Sequence, residues 1–170
     1  MIQNLFSMTG KVCLITGGSS GLGSYMAAGF LAAGAERVFI TGRSEDKLSK
    51  KADELSALSE GQCIGISGDL SDLEGVQALA DAISQRESHL DVLVNNAGLG
   101  LGTQIETMTA KAWDKSMSLN TRSPLFLTQA LLELLKANAT LDDPSRVIFI
   151  SSVAASAVLP SVLAYSTSKK

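Results

Sequence analysis

The chain has 170 residues, 45% hydrophobic and 18% charged, and its 14 basic against 17 acidic side chains leave a net charge of −3; the length permits one core-bearing domain, and the balance excludes the basic stripe of a nucleic-acid binder. Cys13 and Cys63 lie fifty residues apart and His89 is the single histidine, which excludes a disulfide framework, a thiolate metal cluster and any site of several imidazoles. No apolar run reaches the roughly 18 residues of a membrane span, and the first ten residues carry no basic charge, so a reduced, soluble, cytoplasmic chain without a metal is expected.

In chain order, short β-rich runs alternate with longer helical stretches. Val12–Thr16, Arg37–Thr41, Gln62–Ser67, Asp91–Asn95 and Val147–Ser151 read as strands. Most are apolar continuously rather than alternately, the pattern of strands covered on both faces of a parallel sheet. Between them Leu22–Ala33, Glu45–Leu58, Leu73–Arg86 and Ala110–Lys136 have helical character, with Ser44 a candidate N-cap and Pro124 a break in the last stretch. This alternation predicts an α/β fold, a doubly wound parallel sheet in three α/β/α layers. No linker or composition shift divides the chain, so residues 1–170 are expected to form a single domain. Cys13 and Cys63 fall inside strands as buried thiols, His89 stands at the entry to the fourth strand, and Trp113 and Met117 read as helix packing.

The first strand runs directly into Thr16-Gly17-Gly18-Ser19-Ser20-Gly21-Leu22-Gly23. Glycines here let a strand turn sharply, admit a pyrophosphate against bare backbone and start a helix whose N-terminal amides face the anion. No Lys-Ser or Lys-Thr follows the last glycine, so this is not a P-loop. By itself the segment could equally be an ordinary glycine turn between strand and helix.

Three motifs in order decide between these. Thr16–Gly23, then Asn95-Asn96-Ala97-Gly98 after the fourth strand, then Tyr165-Ser166-Thr167-Ser168-Lys169 near the end resemble the short-chain dehydrogenase/reductase family. The resemblance covers the chain from Lys11 onward, and Asp143–Lys170 is similar to 3-oxoacyl-carrier-protein reductases. It implies a Rossmann-like dinucleotide-binding domain and an oxidoreductase that moves hydride between a nicotinamide and a carbonyl or secondary alcohol. Gly17, Ser19, Ser20, Gly21, Leu22 and Gly23 would then hold the cofactor phosphates, and Asn96, Ala97 and Gly98 would line the crevice. The Asn96 side chain can also tie neighbouring strands together.

The end of the second strand reads the adenosine ribose. An acid about 20 positions beyond the glycines accepts the 2′-hydroxyl of NAD and repels a 2′-phosphate. Gly42 holds that place, followed by Arg43 and Ser44. A guanidinium pairs with a phosphate and a hydroxyl donates to one, so NADP(H) is expected over NAD(H). Glu45 and Asp46 begin the next helix and favour its dipole instead, while Lys47, Lys50 and Lys51 read as a solvated face. Asp69-Leu70 follows the third strand; the resemblance implies that Asp69 meets the adenine amino group, and the alternative is a cap on the following helix.

Tyr165 and Lys169 are four apart and share one face of a helix. The resemblance implies that Tyr165 is the general acid/base and Lys169 its activator, also holding the nicotinamide ribose. The chemistry is sufficient, since bringing a phenol from about 10 to about 7 takes roughly 4 kcal/mol, which a cation near 4 Å at an effective dielectric of 20 supplies. Ser152, thirteen residues earlier, would hydrogen-bond the substrate oxygen, with Ser151 as the neighbouring alternative. Asn120 matches the family's helix asparagine that links the lysine to solvent through water. Methyl transfer, which also uses a glycine loop, needs no phenol acid.

Against the resemblance the length is short, Lys170 falling one residue after Lys169. A fragment of a longer homodimeric or homotetrameric reductase is expected, acting on a small carbonyl or alcohol. Alone it would expose Val147–Ser151 as a hydrophobic sheet edge and be poorly soluble or inactive. The alternative is a truncated, non-catalytic chain that binds cofactor or subunits. For the cofactor, replacing Arg43 by Asp is expected to lower the NADPH/NADH affinity ratio. An unchanged ratio in paired titrations contradicts this assignment.

Overall fold

A computed structural model describes residues 6–157 and 159–170. Five strands, β1 (Val12–Ile15), β2 (Arg37–Gly42), β3 (Gln62–Ser67), β4 (Val92–Asn95) and β5 (Arg146–Phe149), form one parallel sheet in the order β3-β2-β1-β4-β5. Parallel neighbours cannot be joined by hairpins, so each pair is bridged by helix. The helices are α1 (Gly21–Ala32), α2 (Glu45–Ser56), α3 (Leu73–Ser84), α4 (Ala110–Met117), α5 (Ser123–Ala130), α6 (Leu132–Ala137) and α7 (Leu163–Ser168). The chain builds outward from β1 to β3, then returns to start the other half with β4 beside β1. At that reversal the connections leave in opposite directions, which opens a crevice beyond the carboxyl ends of β1 and β4.

Strand periodicity divides the core. Val12, Leu14, Phe39 and Leu93 pack with Val76, Leu79 and Ile83 of α3 and Leu127 of α5. Their neighbours Cys13, Ile15, Val38, Ile40, Val92 and Val94 pack on the other face with Ala27 and Leu31 of α1 and Leu48 and Leu55 of α2. Successive side chains of one strand thus serve two cores, which explains why the central strands read as continuously apolar. The layers are the expected α/β/α, and α1 lies close because its inward residues are small: Gly23 and Ala27 are buried there.

Departures from the sequence reading have local causes. The stretch 110–136 is not one helix. A π-helical turn at Ser118–Arg122 separates α4 from α5, and Leu131 interrupts α5 and α6. Pro124 occupies the first turn of α5 and has no N–H for the carbonyl four residues back, which is Asn120. β5 begins one residue early and ends at Phe149, two short of the expected Ser151. It lies at the sheet edge, as expected, with Val147, Ile148 and Phe149 all exposed. Ser44 does precede α2 but makes no side-chain cap bond, and α3 is capped by Asp72, which accepts from Gly75 N–H at 2.7 Å. Asp69 is therefore not the cap.

At the amino ends of the strands, Asp91 joins three of them. Its carboxylate accepts the Val12 amide at 2.8 Å and pairs with Lys11 at 3.1 Å, while its carbonyl accepts the Arg146 amide at 2.8 Å. Lys11 also pairs with Asp143, which raises the lysine pKa and lowers that of Asp143. His89 sits 3.4 Å from Asp91, at the amino end of β4 and so at the opposite end of that strand from the crevice.

Burial pushes both thiols up to about 12. Neither Cys13 nor Cys63 should react with a thiol reagent in the native protein at pH 8, and both should react on denaturation. Titration of one thiol before unfolding would contradict this packing.

Candidate active site

The crevice begins where β1 ends. Gly17 turns the chain with φ of 69°, a left-handed conformation that only glycine adopts without strain. A Cβ on Gly23 would overlap the Gly17 carbonyl and the Asn96 amide, so the loop and α1 close on each other only with glycine there. The Gly17 amide donates to Thr41 Oγ1 at 3.3 Å, tying the loop to β2. Across the reversal, the amides of Asn96 and Ala97 both donate to Thr16 Oγ1, at 3.0 and 2.9 Å. The Asn96 side chain donates to the carbonyls of Thr16 at 2.8 Å and Gly17 at 3.2 Å. Its amide nitrogen is thereby committed to tying strand ends together, and the crevice is lined by the turn it holds open.

The cleft above this seam has a volume of about 630 Å³ and is lined by Gly17, Ser19, Ser20 and Leu22 on one side and by Asn96, Ala97 and Gly98 on the other. This lies within the roughly 300–1,000 Å³ typical of small-molecule sites. α1 opens onto it with Ser20 at its N-cap, no side-chain cap bond and no acid in the first turn. Its first amides and positive dipole end are thus left without a side-chain acceptor. Farther out, Gly42 at the end of β2, Arg43 after it, and Asp69, Leu70 and Ser71 after β3 complete the wall. Asp69 accepts the Ser71 amide at 2.9 Å. That bond, with the charges of Arg43 and Lys115 adding to it, holds the Asp69 carboxyl below its ordinary range. Arg43 is exposed and has no ion-pair partner among the described residues. Ser44 is exposed beside it but does not line the cleft.

At the other end of the seam, the turn 98–100 meets the Tyr165–Lys169 motif. A Cβ at Gly98 would stand 3.2 Å from Asn120 Oδ1 and 3.3 Å from Lys169 Nζ, and one at Gly100 would stand 3.7 Å from the Tyr165 ring. Three of the four expected catalytic residues therefore converge on one glycine turn at the end of β4. Lys169 Nζ lies 5.9 Å from the centre of the Tyr165 ring and donates to the Ile150 carbonyl at 2.8 Å. Burial lowers the Lys169 pKa, and the charge on Tyr165 opposes that shift.

Asn120 is buried, and its side chain is fully used. Oδ1 accepts the Leu99 amide at 2.9 Å, and Nδ2 donates to the Leu99 carbonyl and to Ser168 Oγ, each at 2.9 Å. It locks the 98–100 turn to α7, and Pro124 has no N–H to offer its backbone carbonyl. Ser152 heads a 3-10 turn at Val153–Ala155 that packs on α7; its oxygen accepts the Ala154 amide at 3.2 Å, which leaves the hydroxyl hydrogen to donate elsewhere. Ser151 is committed, donating to the Lys169 carbonyl at 2.7 Å. The structure thus separates the two serines by what each already does.

Thr16, Thr41, Ser71, Lys115 and Leu119 also shape or line the cleft and were not singled out from the sequence. Thr16 was legible only as the residue before the glycines. Lys115 carried no signal, because a lysine on a helix surface reads as solvated.

The family model described as short chain dehydrogenase matches residues 11–170. The chain is 43% identical over 165 residues to a rhamnolipids biosynthesis 3-oxoacyl-[acyl-carrier-protein] reductase of Pseudomonas aeruginosa, covering 96% of this chain and 63% of that protein. It is 35% identical over 130 residues to a 2-dehydro-3-deoxy-D-gluconate 5-dehydrogenase of Escherichia coli, covering 76% of this chain and 50% of the other. Among solved structures it matches the Pseudomonas aeruginosa RhlG/NADP active-site complex with a TM-score of 0.91 at 42% identity, over 96% of this chain and 63% of that one. A Shigella flexneri short chain dehydrogenase complexed with NADP matches with a TM-score of 0.84 at 30% identity, over 96% of this chain and 68% of the other. The chain therefore spans about half to two thirds of the length of these relatives.

The Thr16 hydroxyl offers a stability test. Thr16→Val keeps the shape but removes the acceptor of two amides, and should lower unfolding free energy by about 2 kcal/mol, with Thr16→Ser close to wild type. Equal denaturant midpoints for Val and wild type would show that the seam does not depend on this oxygen.

Proposed function

The chain belongs to the short chain dehydrogenase family, and from that premise we propose that it forms the dinucleotide-binding domain of an NADP(H)-dependent oxidoreductase that reduces a carbonyl, a 3-oxoacyl thioester being the favoured class. One observation carries the reading: Lys169, Asn120 and Tyr165 meet at the 98–100 turn, on the end of the strand that walls the cleft. The favoured substrate and cofactor draw on the relative named as a 3-oxoacyl-[acyl-carrier-protein] reductase and on the solved complex with NADP. Other relatives are named for a sugar acid and for a ring-bearing coenzyme A ester, so membership alone supports the reaction class rather than the substrate.

The residues present fit a dinucleotide. An uncapped helix start, glycines that a Cβ would obstruct and an Arg43 without an ion-pair partner among the described residues are each disposed toward phosphate. When bound, the cofactor supplies the hydride. Gly17, Gly21 and Gly23 admit its pyrophosphate to the backbone, Ser19, Ser20 and Leu22 border that approach, and Arg43 with Ser44 receives the 2′-phosphate. Asp69, kept ionised by the Ser71 amide, accepts from the adenine amino group beside Leu70. Asn96, Ala97 and Gly98 form the floor, shaped by the bonds to Thr16.

At the reacting end, Ser152 donates its free hydroxyl hydrogen to the carbonyl oxygen and stabilises the charge that grows there. Tyr165 delivers the proton from Oη to that oxygen and is left as a phenolate. Lys169 stabilises the phenolate through its ammonium. The bond to Ile150 fixes that ammonium near the ring, and Asn120 holds the 98–100 turn and α7 in register. In the reverse direction Tyr165 accepts the proton of a secondary alcohol.

Tyr165→Phe should reduce kcat for NADPH oxidation with a 3-oxoacyl thioester by roughly 10²–10⁴ while NADPH binding is retained. Full turnover by this variant, or NADPH binding by the wild type without turnover on any of a panel of ketones, would sink the proposal.

A further inference from the structure

NADP(H) is an anion of about four charges, a 2′-phosphate contributing close to two of them, whereas this chain carries a net charge of −3. Affinity therefore depends on cations placed locally. Among the residues that line the cleft only two are basic, Arg43 and Lys115, and one is acidic, Asp69. Neither basic side chain has an ion-pair partner among the described residues, so both remain available to an anion in the cleft.

We propose that Lys115 is a second cation for the adenosine phosphate, acting with Arg43 to favour NADP(H) over NAD(H). Arg43 follows β2, on one side of β1, and Lys115 belongs to α4, which follows β4 on the other side. The two charges reach one cleft from both of its walls. Arg122, farther along the same helical stretch, donates to the carbonyl of Ser71 beside Asp69, and the charges of Arg43 and Lys115 both favour the ionised Asp69, so Lys115 serves that end of the cleft. Lys115 is exposed at the rim, where a long, flexible ammonium approaches a phosphate as a point charge without needing fixed geometry. The competing role is a helix effect, since Lys115 stands in the last turn of α4 and complements its dipole. That role concerns stability and is blind to the cofactor.

The inference rests on the NADP(H) reading above, and the test separates the two. NADPH and NADH dissociation constants are measured by titration for the wild type, Lys115→Gln, Lys115→Arg and Arg43→Asp, at low and high salt. Lys115→Gln should weaken NADPH about fivefold and NADH by under about twofold. Lys115→Arg should restore NADPH binding, and the loss should shrink as salt screens the pair. An equal effect on both cofactors, or a lowered melting temperature with an unchanged affinity ratio, overturns the role of Lys115 while Arg43→Asp still lowers the ratio. A wild type without NADPH preference, matched by Arg43→Asp, defeats the cofactor reading and this inference with it.

Discussion

Two backbone amides, from Asn96 and Ala97, converge on the hydroxyl oxygen of Thr16, and the cleft exists because of that convergence. β1 and β4 are paired through Ile15 and Val94. Past that point the two chains must part, since one enters a glycine loop and the other a turn toward Gly98. Parting strands lose their ladder, and each freed amide costs about 1–3 kcal/mol if buried without a partner. Thr16 supplies an acceptor for two of them, and the Asn96 side chain supplies a donor for the carbonyls of Thr16 and Gly17. The seam is therefore closed at the floor and open above it. Glycine at 17 and 23 then allows the open part to run close to backbone.

A second dependence runs along the helical stretch after β4. Its first segment brings Lys115 to the cleft, its π turn brings Asn120 under Gly98, and Arg122 at the end of that turn donates to the Ser71 carbonyl at 3.0 Å. One rod thus touches both ends of the cleft. A regular α-helix through Asn120 would bond its carbonyl to residue 124, but residue 124 is proline. The widened turn resolves the conflict and leaves the Asn120 carbonyl without that α-helical bond, beside a side chain whose three hydrogen bonds fasten the 98–100 turn to α7.

The segment leading into α7 is built differently. The amide of Thr103 donates to the Ser161 carbonyl at 2.7 Å, and Thr103 bridges to Val162, so the loop after Gly98 is clipped to the segment that leads into Tyr165. Ser161 is held there at φ of 61°, a conformation costly for a residue with a Cβ. The relatives that match this chain are named for unlike substrates.

The primary sequence determined the layered α/β architecture, because strand runs apolar on both faces and helices between them have few other solutions. It also determined the glycine loop, since glycines at 17, 21 and 23 respond to backbone geometry that any chain making this turn must meet. The Tyr165/Lys169 pair was legible as a shared helix face. Tertiary structure alone decided which of Ser151 and Ser152 has a hydroxyl hydrogen to spare, that Asp72 rather than Asp69 caps α3, and that the Asn120 side chain is spent on scaffolding. It alone brought Lys115 to the cleft. Each of these turns on hydrogen bonds or charges between residues that the sheet order makes neighbours: Lys169 bonds Ser151 from eighteen positions away, and Asn120 bonds Leu99 from twenty-one. Spacing along the chain encodes local periodicity, and it carries no record of which side chain a distant strand will deliver.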